Sequence, residues 1–219
     1  MLIVDNIDRF DNKGDYVYNQ LANNLIMGEL LPNERLKIRE LAQAMGTSVT
    51  PVRDAVLRMV QEGAFVLHSP RDIRVIDLTL AEYLEIRSIR LELEGMAAGK
   101  AALMASDQDI AILEGILEEN EQALMNNQGQ TCIILNQKFH FEMCRIAQMP
   151  ILMDVLRQLW IKIGPLIAQV YLLGGREMID HHYPILQAIK NKDPQAARIS
   201  IQTDILSGGK VLLQHKMAK

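Results

Sequence analysis

Two histidines, an asparagine, an aspartate and an arginine in the second half of this chain have side chains that could do chemistry together. Asn136 and His140 stand four residues apart, so on a helix both project from one face. His182 opens the apolar stretch Ile185-Leu186-Gln187-Ala188-Ile189, and Asp204 lies in the last amphipathic segment. Imidazole nitrogens and carboxylate oxygens can act as hydrogen-bonding groups of a core or as ligands to a divalent metal, and taken alone such residues fit the first role more often. Arg90 offers a planar fork suited to an organic acid, and equally an ion pair with its (i, i+4) neighbour Glu94. No nucleophile is positioned among these groups, no second carboxylate is expected beside His140 and His182, and no glycine loop could cradle phosphate.

The elements that must carry these residues are helices. From Asp77 onward no strand pattern recurs. Thr79-Leu80-Ala81-Glu82 is a capping box, and Ser106 caps a following helix that Asn126-Asn127-Gln128-Gly129 ends. Further helices are expected over 132–147, over 151–173 with a kink at Gly164-Pro165, and over 177–191, with a last one from Asp193-Pro194 to about His215. Six or seven antiparallel helices make a bundle, and bundle interiors are where ligand and metal sites are built.

The first third reads differently. Leu41, Ala42 and Met45 mark the buried side of a short helix that Gly46 can stop, and a second helix starts near Thr50 with Pro51 in its first turn. Val52, Ala55, Val56, Met59 and Val60 recur at helical spacing and face inward, leaving Ser48, Thr50, Arg53, Leu57 and Gln61 outside. Residues 65–68 and 73–76 read as short strands across Ser69-Pro70-Arg71-Asp72. Upstream, Val17, Leu21 and Leu25 form a stripe on a helix ended by Gly28. Helix-turn-helix followed by a hairpin is a winged helix, which lays its second helix in the DNA major groove. The expected architecture is mainly α, with a winged helix-turn-helix at residues 1–76 and an all-α six- or seven-helix bundle at 77–219.

The chain has 219 residues and a formal net charge of −4, which argues against a strongly basic nucleic-acid binder. Between Glu34 and Val75, however, seven cations face five acids, so a single domain should bind DNA weakly and tight binding calls for two domains on one duplex. The opening Met1-Leu2-Ile3-Val4-Asp5 is too short an apolar run for a secretory signal, and no run of 18 apolar residues occurs. Cys132 and Cys144 share one helix, far beyond disulfide reach of each other. A cytoplasmic protein with reduced thiols and no membrane association is expected.

The succession Gly28-Glu29-Leu30-Leu31-Pro32, Leu41-Ala42, Gly46-Thr47-Ser48 and Thr50-Pro51-Val52-Arg53-Asp54-Ala55-Val56 resembles the DNA-binding domain of GntR-type bacterial transcription regulators. The resemblance implies contacts to operator phosphates and bases from Arg39, Ser48, Thr50 and Arg53, joined by Arg71 at the wing tip. Asn33 and Asp72 stand where that family has glycine, and Asp72 would put a carboxylate near phosphate. Arg90-x-x-Leu93-Glu94, Phe139-His140 and His182-x-x-Ile185-Leu186 to Asp193-Pro194 resemble the helical effector domain of the FadR-type subfamily, in its shorter VanR-like branch. That resemblance implies a homodimer, most often a repressor, responding to a small carboxylate effector near Arg90. It also implies a divalent metal, Zn, Ni or Mn, held at Asn136, His140, His182 and Asp204. The family's usual aspartate is here Asn136, and its usual last histidine is Asp204. Two other readings remain: a metal-dependent enzyme carrying an N-terminal regulatory module, and a DNA-binding dimer whose effector site has decayed.

Overall fold

The computed structural model describes residues 12–217, so the opening Met1-Leu2-Ile3-Val4-Asp5 lies outside the described residues. They form two compact units, one extending to Leu78 and including Trp160–Gln169, the other made of Thr79–Leu159 and Val170 onward.

In the first unit α1 (Lys13–Ile26) starts at Asn12, whose side chain accepts from the Gly14 N–H, and buries Val17, Leu21 and Leu25 completely. Asn33 turns the chain with φ of 63°, which asparagine tolerates, so its replacement of glycine costs little here. Helix α2 (Ile38–Ala44) ends at Met45-Gly46, with Gly46 at φ 62°. Helix α3 (Val49–Gln61) buries Val52, Ala55, Val56 and Met59, while Val60 is only half-buried. Strands β1 (Phe65–Ser69) and β2 (Asp72–Val75) pair antiparallel. A third extended segment, absent from the sequence expectation, pairs onto β2: Leu36 N–H donates to Ile73 O at 2.8 Å and Val75 N–H to Glu34 O at 2.9 Å. It is too short to show alternation, and its single bridge, Arg35 to Arg74, depends on β2 being in place. Against α1 lies Gly164, where a Cβ would meet Leu25 O at 2.6 Å, a close approach only glycine permits.

In the second unit α4 (Leu80–Met104) and α5 (Asp107–Met125) both begin with complete capping boxes, Thr79 with Glu82 and Ser106 with Asp109. Helices α6 (Gly129–Ile146) and α7 (Pro150–Gly174) follow, and α7 runs unbroken through Pro165. The single helix expected over 177–191 is instead two, α8 (Glu177–Asp180) and α9 (His182–Lys190). Pro184 explains the break, because it has no N–H to offer the Asp180 carbonyl four residues earlier. Helix α10 (Pro194–Met217) is capped by Asp193, which accepts from the Gln195 and Ala196 N–H groups at 3.1 and 3.0 Å, and packs along α4. Cys132 and Cys144 are both buried and unbridged. No helix among the described residues is long and apolar enough to cross a membrane.

Candidate functional sites

The first site is a surface. Arg39, Ser48, Thr50, Arg53 and Arg71 are all exposed, and three of them, Arg39, Arg53 and Arg71, line one open cleft of about 620 Å³ between α2, the start of α3 and the wing tip. Ser48 and Thr50 lie at the N-terminal end of α3, beside Val49, which belongs to the cleft wall. Arg35 and Lys37 join the lining and were not singled out from sequence, since only the pairing of their segment with β2 turns them toward Arg71. Five cations thus share the cleft with one acid, Glu40, so the local field is basic although the chain is acidic. Asp72 does not stand free at the wing: Arg74 Nε donates to it at 2.9 Å and Arg35 Nε lies at 3.6 Å. The hydrogen bond from Arg74 holds its carboxyl below the usual range.

The second site is buried inside the helical unit. Helix α6 contributes His140, α9 contributes His182 at its first residue, and α10 contributes Asp204. His140 Nε2 lies 3.4 Å from Asp204 Oδ2 and His182 Nε2 lies 3.6 Å from Asp204 Oδ1, and the three ligand atoms fall within 4.8 Å of one another. Asn136 is buried one turn before His140 on the same helix. Phe139 stacks on the His182 ring with centroids 4.5 Å apart, fixing its plane, and neither His182 nitrogen has a hydrogen-bond partner.

Arg90 is buried against its helical neighbour Glu94. Its Nε donates to Glu94 Oε1 at 2.6 Å, so the (i, i+4) ion pair is formed and buried. The absence of a second carboxylate expected from sequence is corrected here, since Glu94 Oε2 stands 2.7 Å from His140 Nδ1. From sequence Glu94 pairs only with Arg90, four residues away, because its contact with His140 crosses 46 residues.

Burial works against charge throughout this cluster, and neighbours decide the outcome. Burial would raise Glu94, but the charges of Arg90 and His140 bring it down to about 2. Burial would lower His140, but Glu94 and Asp204 push it up to about 9. For His182 burial wins over the Asp204 charge and holds the ring neutral down to about 4. Burial would raise Asp204, yet His182 and His140 keep it ionised. The cluster therefore offers one imidazole that is neutral above about pH 4, one imidazole whose proton a metal ion must displace, and one carboxylate.

A family model described as the bacterial regulatory proteins of the gntR family matches residues 13–75, and one described as the FCD domain matches residues 85–205. The chain is 34% identical over 186 residues to the HTH-type transcriptional regulator McbR of Escherichia coli K12, covering 83% of this chain and 84% of that protein. The chain belongs to the GntR family. The match to this GntR regulator extends to structure: E. coli McbR/YncC superposes with a TM-score of 0.86 at 31% identity, over 94% of this chain and 99% of that one. A Bacillus subtilis regulator, YdhC, is 29% identical over 188 residues, covering 83% of this chain and 82% of its own. These relatives are named as transcription regulators, and this chain is a ligand-responsive, DNA-binding regulator of the same FadR-type class rather than an enzyme.

Proposed function

We propose that this regulator is a homodimeric repressor whose helical domain, residues 77–219, holds a divalent metal that receives a small carboxylate effector, while residues 1–76 bind the operator. Arg39, Ser48, Thr50, Arg53 and Arg71 are assigned to phosphates and base edges of double-stranded DNA. The metal assignment rests on spacing. Two tetrahedral ligands bonded at roughly 2.0–2.1 Å to one ion stand about 3.3–3.4 Å apart. His140 Nε2 approaches one oxygen of Asp204 at 3.4 Å and His182 Nε2 the other at 3.6 Å, distances close to that edge, and one ligand atom from each of the three residues lies within 4.8 Å of the other two. A fully buried imidazole with two unpartnered nitrogens is costly without a ligand, which supports the same reading.

Two imidazoles and one carboxylate suit Zn²⁺, Ni²⁺ or Mn²⁺, with Asn136 available as a weaker oxygen donor beside His140. When bound, such an ion supplies a Lewis-acidic position for an anionic ligand. With Arg90 committed to Glu94, the effector's carboxylate is assigned to the ion, whose charge one aspartate only half neutralises, and not to the guanidinium. Asn120 and Tyr171 are buried polar side chains near one another and near Asp204: burial raises the Tyr171 hydroxyl pKa, the Asn120 side chain lowers it, and the charge of Asp204 adds a smaller upward push. They suit hydrogen bonds to the uncharged part of the same ligand.

Metal content of purified protein, read together with thermal shifts from a panel of small organic acids, tests the proposal. His140→Ala is expected to abolish both metal uptake and the acid-induced shift. Asn136→Asp is expected to raise metal affinity by adding an anionic oxygen. Metal-free wild-type protein that takes up no Zn²⁺, Ni²⁺ or Mn²⁺ would refute the assignment.

A further inference from the structure

Glu94 belongs to neither the proposed ligand set nor the DNA surface, yet it is fully buried between two named partners. Its oxygens divide the work: Oε1 accepts from Arg90 Nε at 2.6 Å, and Oε2 faces His140 Nδ1 at 2.7 Å. A carboxylate this close keeps a proton on Nδ1, so when the ring holds a single proton the lone pair is on Nε2. That nitrogen is the one pointing to Asp204, 3.4 Å away. The ring of His140 also stands edge-on to His182, with 5.3 Å between centroids.

We propose that Glu94, gripped by Arg90, is the positioning residue of the metal centre: it presents His140 through Nε2 and supplies from outside the ligand set the negative charge that Asn136 does not carry. The inference rests on the metal reading above. It explains why a charged pair is buried here at all. Replacing both partners of a buried pair by apolar groups is often harmless to stability, so its presence calls for a role beyond stability. It also assigns Arg90 a function without an effector contact, since the guanidinium holds Glu94 Oε1 and so keeps Oε2 aimed at the ring.

The full chain, stripped of metal by chelator, is titrated with Zn²⁺ against a chromophoric competitor and with Co²⁺ while its visible absorption is followed. Wild type is expected to bind both and to give the intense bands of a four-coordinate cobalt site. Glu94→Gln keeps the size and an acceptor oxygen but removes the charge, and Zn²⁺ affinity should fall by roughly 10–100-fold. Glu94→Asp, which keeps the charge, should recover part of that loss. Because Glu94→Gln removes the carboxylate that faces Arg90, the neutral double variant Arg90→Gln/Glu94→Gln is measured alongside it, with folding followed by circular dichroism, and should show the same loss. Either folded variant binding Zn²⁺ as tightly as wild type overturns the inference and leaves the metal reading standing. Wild type binding neither ion removes the metal reading and this inference with it. Nitrogen NMR of the imidazoles in Zn²⁺-loaded wild type needs no variant: a retained Nδ1 proton on His140 is expected, and coordination through Nδ1 overturns the proposal.

Discussion

His140 and His182 sit 5.3 Å apart in one cluster and are driven in opposite directions, because two carboxylates flank the first while burial dominates at the second. This has a consequence for stability in the metal-free protein. His140 keeps its proton up to about 9 when folded against 6.5 otherwise, so its contribution is complete below pH 6.5 and is lost as pH rises toward 9. His182 stays neutral to about 4 when folded, so unfolding becomes easier as pH falls from 6.5 toward 4. Scanning the thermal midpoint of chelator-treated protein across this range should therefore reveal a maximum near pH 6.5. A midpoint still rising at pH 8 would mean that His140 is not clamped as described. On the DNA side, Arg53 projects from the exposed face of α3 into the basic cleft. Arg53→Ala should leave the fold intact and weaken binding to a selected operator by roughly ten- to a hundredfold. A gel-shift titration with unchanged affinity would place α3 away from the duplex.

Helices here are set by local chemistry at their ends and by tertiary fit along their lengths. The capping boxes of α4 and α5 and the asparagine cap of α1 involve neighbours within three residues, so each is legible from sequence. Gly164 is of the other kind. Nothing in Lys162-Ile163-Gly164-Pro165 announces that a Leu25 carbonyl and the Ile26 backbone will press against it, at 2.6 and 2.9 Å from where a Cβ would be. Since those neighbours are backbone atoms that cannot swing away, Gly164→Ala should destabilise the first unit by about 1–3 kcal/mol. Chemical denaturation followed by tryptophan fluorescence would register this through Trp160, buried in the same unit. An unaltered midpoint would show that α7 does not seat on α1.

The proposed homodimer must join two DNA-binding units through a surface of the helical domain. Ile89, Met96 and Leu103 recur every seven residues on α4 and are exposed, as are Ile199 and Leu206 on α10, the helix packed along it. Such a stripe on a paired-helix face matches what two copies bury against each other. Met96→Glu combined with Leu206→Glu should convert a dimer into a monomer in sedimentation velocity. Operator affinity should fall with it, because residues 34–75 of each copy have only seven cations against five acids. A wild-type monomer at working concentration, with and without DNA, would contradict the dimer.

Periodicity and punctuation were sufficient for the winged helix and the helical bundle. The stripe Val17, Leu21 and Leu25, the stop at Gly46, the start at Ser48 to Pro51 and the inward set of α3 all depend on contacts within a turn or two. The outward placement of Ser48, Thr50 and Arg53 follows from the same arithmetic. His140, His182 and Asp204 were also named from sequence, through family likeness, but their convergence was decided by the packing of α6, α9 and α10. Tertiary structure alone joined the segment at Arg35 to β2, neutralised Asp72 between Arg35 and Arg74, and placed Glu94 against His140. The contacts of Arg35 with the wing and of Glu94 with His140 join residues 36 and 46 apart along the chain, beyond the reach of any helical or strand period, and are fixed only when the elements carrying them are packed, whereas the Asp72–Arg74 pair is two residues apart on one strand.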